Sequence, residues 1–344
     1  MFSQTKSSKY TQYFKIENLK EPYTCDVDAK FHQITITIFT DCNLSCRFCY
    51  EYDRTPINGD LWNYDSIIEN FELVVSKIKA PLITISVIGG ELLQDKFDHT
   101  MIEKYTMFFN QLKTILTKYN KQFKISINSN LIHLKKERWV DLFTNVDVDI
   151  FASYDCHGRF SNEKQRTLFF NNFDYYHSKR LIKGCDIILS KSNIESFLKQ
   201  SNYYDDLVHI YNNTKNIIFN CYTTDPHNIS NNDNPSKELI SDFYLFLYHN
   251  FEKCSTIEGI IKDKKIVENH PMCFSTMIYP NALLWTCCDP KKKSEFIINN
   301  KCFVCDYYRW CNSTTCYRTQ CAGDVCFLQK TYDKLKLEPG VMWS

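Results

Sequence analysis

The sequence lacks the features that would assign the protein to a membrane or to nucleic acid. No stretch of it approaches the roughly 18 consecutive apolar residues that a transmembrane helix requires. The formal net charge of the 344 residues is +1, so no global excess of positive charge exists to attract a polyanion. The first residues are polar and contain no apolar core of a secretory signal. We therefore expect a cytoplasmic protein with neither nucleic acid nor a membrane as partner.

Cysteine, by contrast, is abundant, with 17 residues. Because the cytosol keeps thiols reduced, metal or cluster ligation explains this number better than disulfides do. Three cysteines lie within residues 42–49, and nine lie between Cys273 and Cys326. Eight thiolates would complete two iron–sulfur cubanes or, equally, two four-cysteine zinc sites, so the count alone leaves both alternatives open.

The hydrophobic periodicity predicts six short strands, each followed by a segment of helical length. The predicted strands are Gln33–Phe39, Ile83–Ile88, Lys124–Ser129, Asp147–Ser153, Cys185–Ser190 and Ile217–Cys221. The predicted helices lie near Tyr64–Lys79, Phe97–Tyr119, Lys136–Thr144, Asn162–Lys179, Ile194–Asn212 and Lys237–Lys253. Six such units indicate an α/β fold with parallel strands, either a partial (βα)6 TIM-like barrel or an open doubly wound sheet.

The barrel is the interpretation we favour, with its functional end at the carboxyl ends of the strands. It spans residues 33–255, after an N-terminal extension over residues 1–32. Residues 256–344 lose the regular pattern and form a predicted small cysteine-rich domain, in which metal–ligand bonds would supply much of the folding energy. The many Phe and Tyr residues are expected mainly in the core.

The first cysteine group lies directly after the first predicted strand and has the spacing CxxxCxxC, with Cys42, Cys46 and Cys49. Three thiolates leave one iron of a cubane free to bind a further ligand, and an open coordination position makes a metal site reactive. The alternative is a partial zinc site that a distant residue completes.

This loop resembles the signature of the radical S-adenosylmethionine (AdoMet) enzymes, which also carry an aromatic residue before the third cysteine, here Phe48. The resemblance implies that Cys42, Cys46 and Cys49 are catalytic and hold a 4Fe-4S cluster, whose free iron chelates the amino and carboxylate groups of AdoMet. It further implies that one electron cleaves AdoMet into methionine and a 5′-deoxyadenosyl radical, which abstracts a substrate hydrogen.

Further motifs follow the next three predicted strands, where the resemblance places contacts to AdoMet. Gly89-Gly90-Glu91 matches a GGE turn, in which glycines allow close backbone approach and the carboxylate complements an ammonium group. After the third strand, Asn128 and Ser129 are candidate ligands, and Asn130 is expected to take a left-handed backbone conformation because asparagine tolerates it best after glycine.

The fourth strand ends in a stretch that resembles the family's Ser-x-Asp-Gly element. Ser153 is a candidate AdoMet contact, and Asp155 is a candidate contact for AdoMet or substrate. The alternative interpretation of the Gly-Gly-Glu stretch is a strand-ending turn without a ligand. For the residues at the end of the third strand, the alternative is the ordinary polarity of a strand end.

The C-terminal cysteines resemble the SPASM extension of these enzymes, which carries two auxiliary 4Fe-4S clusters. Cys302-x2-Cys305-x5-Cys311 matches its spacing, while Ala282 replaces a glycine and the interval from Cys311 to Cys316 is one residue longer. By analogy, one cluster takes Cys273, Cys287 and Cys316, with Cys288 or another nearby thiolate as fourth ligand. The other takes Cys302, Cys305, Cys311 and Cys326, with Cys321 as an alternative ligand.

The resemblance implies an enzyme that oxidises a peptide or protein side chain, and we expect crosslink formation in a ribosomally made precursor peptide. Anaerobic sulfatase maturation, which makes formylglycine, is the alternative reaction, and a non-catalytic zinc- or iron–sulfur-binding protein is the alternative class. Expected partners are the peptide and an electron donor such as flavodoxin or ferredoxin. Because the chain before the first strand is short for a fused peptide-recognition domain, we expect the precursor to bind either the barrel itself or a separate peptide-recognition protein.

Overall fold

A computed structural model describes residues 31–46, 48–49, 62–199, 201–221, 233–257, 275–278 and 284–286, together with Thr331 and Lys334. The strands are β1 (Phe31–Thr37), β2 (Leu82–Ile88), β3 (Gln122–Ser129), β4 (Asp149–Tyr154), β5 (Ile182–Leu189), β6 (Ile217–Cys221), β7 (Ser275–Ile278) and β8 (Leu284–Thr286). The helices are α1 (Tyr64–Lys77), α2 (His99–Lys118), α3 (Glu137–Val146), α4 (Glu163–Ser178), α5 (Lys191–Leu198), α6 (Asn202–Asn213), α7 (Lys237–Asn250) and the short turn α8 (Ser255–Ile257).

All six predicted strands form, and they build one curled sheet. The strand order is β6-β5-β4-β3-β2-β1, and every neighbouring pair in this series is parallel. The order never reverses, whereas a doubly wound sheet changes direction at a switch point. Right-handed crossovers in one direction place the helices on one face, which confirms the partial barrel and rules out the open alternative.

Strand alternation separates an apolar outer face from a polar concave face. In β2 the side chains of Ile83, Ile85 and Val87 are fully buried, whereas the intervening Thr84 and Ser86 are only half-buried. Successive side chains of a strand point to opposite faces, so the isoleucines and valine pack beneath the helices. The largest fully buried side chains are all aromatic, as expected for the core.

The predicted helix Ile194–Asn212 is wrong as a single element, because the structure has two helices there. The α5 helix ends at Leu198, and α6 begins after Ser201, whose hydroxyl accepts a hydrogen bond from the Tyr203 amide at 3.4 Å. The same hydroxyl donates to the Ser196 carbonyl at 2.9 Å, which closes the end of the preceding helix. Serine before a helix is a common N-cap, and this local signal marks the break.

Two strands were not predicted. In the segment assigned to the cysteine-rich domain, β7 pairs parallel with β1, and β8 pairs antiparallel with β7. They have four and three residues, too short for a clear alternation in the sequence. Residues of the predicted C-terminal domain therefore extend the barrel sheet beyond β1. Within the part of the chain described here, no helix combines the length and apolarity needed to cross a membrane.

Candidate active site at the carboxyl ends of the strands

The sequence-predicted residues of the barrel meet at one end of the sheet, which we call the rim. The cysteine loop follows β1, Gly89-Gly90-Glu91 follows β2, and Asn128 and Ser129 end β3. Ser153 lies near the end of β4, half-buried, and Asp155 follows directly after that strand. Because the strands are parallel, their carboxyl ends lie side by side, and motifs far apart in sequence become neighbours.

The cysteine loop and the glycine turn are joined through their backbones. The Gly90 amide donates to the Phe39 carbonyl at 2.9 Å, and the Glu91 amide donates to the Asp41 carbonyl at 2.8 Å. A Cβ atom on Gly90 would lie 1.9 Å from the Asp41 carbonyl oxygen, far inside van der Waals contact. Only glycine therefore fits at position 90. The hydrogen bonds of Gly90 and Glu91 fix the chain just before Cys42.

The Asp41 carboxylate adds a side-chain anchor to this junction. It accepts hydrogen bonds from Gln94 at 3.0 Å and from the Lys96 ammonium. Gln94 also donates to the Asp41 carbonyl at 3.2 Å. Charged hydrogen bonds of this kind are stronger than neutral ones, so the start of the cysteine loop is held firmly to the segment after β2.

Glu91 ties the segment after β2 to the end of β3. Its Oε1 accepts from the Leu93 amide and the Ser129 hydroxyl, both at 2.8 Å, and its Oε2 accepts from the Asn130 amide at 2.7 Å. Burial raises the pKa of Glu91, and these three hydrogen bonds oppose that rise. Since a carboxylate oxygen can accept two hydrogen bonds, Oε2 keeps one acceptor site for a further donor.

The turn after β3 contains a left-handed residue, but it is not the one expected. Leu131 has φ 55°, and Asn130 does not have a positive φ, so the prediction for Asn130 is wrong. The Asn130 side chain instead accepts a hydrogen bond from the Ile132 amide at 2.8 Å, and Leu131, the residue between them, takes the left-handed conformation. Asn172 of α4 then donates to the Leu131 carbonyl at 2.8 Å and holds the turn from behind.

Asn43, inside the cysteine motif, connects the loop to this turn. Its amide donates to the Ile132 carbonyl at 2.6 Å, and its Oδ1 accepts from Asn130 at 2.8 Å. The loop is therefore fixed both to the segment after β2 and to the turn after β3. Asn43 was not among the predicted site residues, although its position inside the CxxxCxxC motif, directly after Cys42, was a usable signal.

His133 lies in the core behind the same turn, where its Nε2 is 2.7 Å from the Tyr176 hydroxyl. Burial lowers the pKa of His133 from 6.5 to about 4. As the pH falls, the unfolded chain binds the proton first, so stability present above pH 6.5 is lost toward pH 4. At about pH 5.5 this loss amounts to about 1.4 kcal/mol.

We predict that H133Q, which cannot titrate, loses less free energy of unfolding than the wild type between about pH 7.5 and about pH 5.5. Urea titrations followed by circular dichroism at the two pH values measure the difference. An equal loss in both proteins would show that His133 does not carry this pH dependence.

The three thiols of the motif are all partly exposed. Cys42 Sγ accepts the Leu44 amide at 3.4 Å, and the Cys49 amide donates to the Cys46 carbonyl at 3.2 Å. Burial, and after it the charge of Glu91, raises the pKa of Cys42 to about 12, so the free side chain is a thiol at neutral pH. A bound metal would displace that proton.

The donor set fits an iron–sulfur cluster held by three cysteines. Among the described residues, no three His, Cys, Asp or Glu side chains converge as they would around one metal ion. A cubane does not require such convergence, because each thiolate binds a different iron. An amide directed at Cys42 Sγ is also the kind of hydrogen bond that tunes a cluster thiolate.

Asp155 and Arg159 form a buried ion pair beside this loop. Nε of Arg159 donates to Oδ2 of Asp155 at 2.7 Å, Nη2 lies 2.7 Å from the same oxygen, and the guanidinium carbon lies 5.2 Å from the centre of the Phe48 ring. Burial raises the pKa of Asp155 to about 6, although Arg159 opposes the rise. Arg159 was not among the predicted site residues; its position four residues after Asp155 was the only local signal.

Asp186 is an acidic residue of the concave face that was not among the predicted site residues. It lies on β5, accepts from Asn128 and is within 3.5 Å of the Asn220 amide nitrogen, while Asn128 accepts from Ser86 at 2.9 Å. Burial raises the pKa of Asp186 to about 6. Polar residues at alternating positions of otherwise apolar strands mark this concave face, and that pattern could have revealed it.

The nine C-terminal cysteines lie outside the described residues, so their predicted ligand sets stay predictions. They are Cys273, Cys287, Cys288, Cys302, Cys305, Cys311, Cys316, Cys321 and Cys326.

Comparison with solved structures identifies the fold. The chain superposes on anSMEcpe, an anaerobic sulfatase-maturating enzyme solved with bound AdoMet, with a TM-score of 0.58 over 88% of this chain and 95% of that one. The protein has the radical S-adenosylmethionine fold. Streptococcus suis SuiB, solved with S-adenosylmethionine, gives a TM-score of 0.55 over 87% of this chain and 76% of its own.

Sequence identity is 12% in both comparisons, so the likeness concerns the radical S-adenosylmethionine fold alone. No protein-family model matches the sequence, and no curated protein is significantly similar to it.

Proposed function

We propose that the protein is a radical AdoMet enzyme and that Cys42, Cys46 and Cys49 hold a 4Fe-4S cluster. The observation that carries this proposal is the attachment of the cysteine loop to a turn in which only glycine fits at position 90. The attachment lies at the rim of a radical S-adenosylmethionine fold. When bound, the cluster would supply the electron that cleaves AdoMet and leaves a 5′-deoxyadenosyl radical.

The residues around the loop would bind and orient AdoMet. Gly89 and Gly90 let the turn pack against the backbone before the cysteines, which places Glu91 beside the loop, and Glu91 offers its remaining acceptor site to the ammonium group. Ser129 is buried and holds the Glu91 carboxylate in place. Pre-set hydrogen bonds of this kind reduce the cost of ordering the site when the ligand binds.

Two further candidates project toward the concave face. Asn128 and Ser153 are half-buried at the carboxyl ends of β3 and β4, where they can contact the ribose or the carboxylate of AdoMet. Asp155 already accepts hydrogen bonds from Arg159, Ile188 and Asn193, so we propose that it acts on the site by holding Arg159.

We propose a peptide or protein side chain as the substrate, and its net two-electron oxidation as the reaction. SuiB has been solved with precursor peptide SuiA, and anSMEcpe with the Cp18Cys peptide, and this chain shares their fold. The cysteines of residues 256–344 would hold two auxiliary clusters that accept the second electron, with flavodoxin or ferredoxin as donor for the first cluster. Crosslinking of a precursor peptide in the cytoplasm, with help from a separate peptide-recognition protein, is the specific activity we propose.

Mass spectrometry of two peptides tests this substrate class. A short peptide encoded beside this gene should lose two hydrogens and keep its sulfur when a crosslink forms. A sulfatase peptide containing cysteine should stay unchanged. Its conversion to formylglycine would be recognised in the mass spectrum by the loss of the sulfur. The opposite result would favour sulfatase maturation, an alternative that the fold of anSMEcpe supports.

Replacement of Cys305 separates the auxiliary clusters from AdoMet cleavage. We predict that Cys305→Ala keeps at least part of the 5′-deoxyadenosine release and loses the peptide product, because the second electron has no acceptor. Quantifying both products by chromatography measures the separation. Undiminished peptide product would contradict an auxiliary role for the Cys305 thiolate.

A further inference from the structure

The Arg159 guanidinium is fixed in a nearly buried position. Its side chain is 12% exposed, its Nε donates to Oδ2 of Asp155, and its Nη2 lies 2.7 Å from the same oxygen. Oδ1 of Asp155 accepts from the Ile188 amide at 2.8 Å and from Asn193 at 3.0 Å. The carboxylate is therefore held by β5 and α5, and the guanidinium cannot swing away without breaking a charge-assisted hydrogen bond.

This fixed charge faces the cysteine loop. The guanidinium stacks on Phe48, which lies between Cys46 and Cys49 in the sequence. Burial alone would lower the pKa of Arg159, but the charges of Asp155 and the Cys46 thiolate raise it above its ordinary value. Among the residues that the structure describes, none forms a hydrogen bond with Nη1 of Arg159.

We infer that Arg159, positioned by Asp155, sets the reduction potential of the cluster on Cys42, Cys46 and Cys49. The inference rests on the proposed function. Reduction adds one negative charge to a cluster, and a nearby cation stabilises the reduced form more than the oxidised form. The negative charge of Asp155 has the opposite effect on the reduced form, so the two residues should shift the potential in opposite directions.

A redox titration monitored by electron paramagnetic resonance, at mildly alkaline pH, tests the inference. For R159Q we expect the reduction equilibrium to shift about tenfold toward the oxidised cluster, about 59 mV for one electron. R159K keeps the charge and should stay near the wild-type potential. D155N removes the opposing charge and should raise the potential.

Arg166 provides a matched control. It is also a largely buried arginine paired with an aspartate, Asp206. Its guanidinium lies over the rings of Phe170 in α4 and Tyr203 in α6 rather than over a ring of the cysteine loop. R166Q should leave the potential unchanged, although it breaks a similar ion pair. Equal potentials in wild type, R159Q and D155N would overturn the inference, as would equal shifts in R159Q and R166Q. If R159Q fails to take up the cluster, a D155N potential at or below the wild-type value overturns it.

The titrated signal must belong to the cysteine loop rather than to the auxiliary clusters. The difference between the spectra of the wild type and the triple variant C42A/C46A/C49A isolates it. If the two spectra coincide, no cluster occupies the loop, and the proposed function fails together with the inference. If the difference signal is present and its potential is insensitive to R159Q and D155N, the inference alone fails.

Discussion

Replacing Cys46 with alanine should abolish the release of 5′-deoxyadenosine from AdoMet. Cys46 is the middle cysteine of the three-cysteine loop, and a negative charge on its sulfur would interact favourably with the nearly buried Arg159. Two remaining thiolates leave two irons of a cubane without protein ligands, so the cluster loses the single open position that the chemistry needs. We expect product below the detection limit and an iron content lower by one cluster.

A cysteine outside the motif serves as the control for this variant. Cys254 is fully buried, and its thiol contacts the Ile217 carbonyl at 3.6 Å. Cys254→Ala should keep the wild-type iron content and product yield, because a buried cysteine of this kind acts as a small apolar side chain. Comparable losses of iron in both variants would mean that the iron is not bound specifically by the loop.

Replacing Gly90 with alanine should lower both the stability of the protein and its affinity for AdoMet. The new Cβ would lie 1.9 Å from the Asp41 carbonyl oxygen and 2.3 Å from that of Thr40. Backbone atoms cannot turn aside as a side chain can, so the two loops must separate and break the hydrogen bond to Phe39. We expect a cost at or above the ~3 kcal/mol upper end of ordinary overpacking penalties.

Thermal unfolding and AdoMet binding measure this cost. The apparent Tm should fall by about 5 °C or more, and AdoMet affinity should fall with it. Gly89→Ala is the matched control, because its Cβ would lie 3.0 Å from the Phe39 carbonyl oxygen and 3.1 Å from a flexible Leu92 methyl group. Its effect should be clearly smaller. Equal, small effects of the two substitutions would show that the close approach at Gly90 does not hold the cysteine loop.

The barrel could be predicted from the sequence because its strands are rich in isoleucine and valine and are spaced by helix-length segments. All six strands were placed, and the motif residues fall at their carboxyl ends. Signals of this kind lie in the local sequence and do not depend on which residues meet in the folded chain. The division between α5 and α6 was missed because the cap of Ser201 interrupts a continuous apolar pattern.

The contacts that organise the site could not be predicted, because they depend on which loops meet. Asn43 reaches a carbonyl 89 residues away in sequence, and Asn128 reaches Asp186 on β5. The left-handed residue after β3 is Leu131 because the Asn130 side chain is occupied by the backbone of Ile132. Residue preference alone favours asparagine at such a position, and the local hydrogen bonds override it.

Release of 5′-deoxyadenosine from AdoMet by the intact protein is the decisive measurement of radical AdoMet activity. The protein is purified under strict anaerobiosis, reconstituted with iron and sulfide, reduced, and incubated with AdoMet, with the Cys46→Ala variant as blank. We predict 5′-deoxyadenosine and methionine in equal amounts from the wild type and neither product from the variant. A colourless protein that contains zinc and no iron, or an iron-replete, reduced protein that leaves AdoMet intact, would contradict the account.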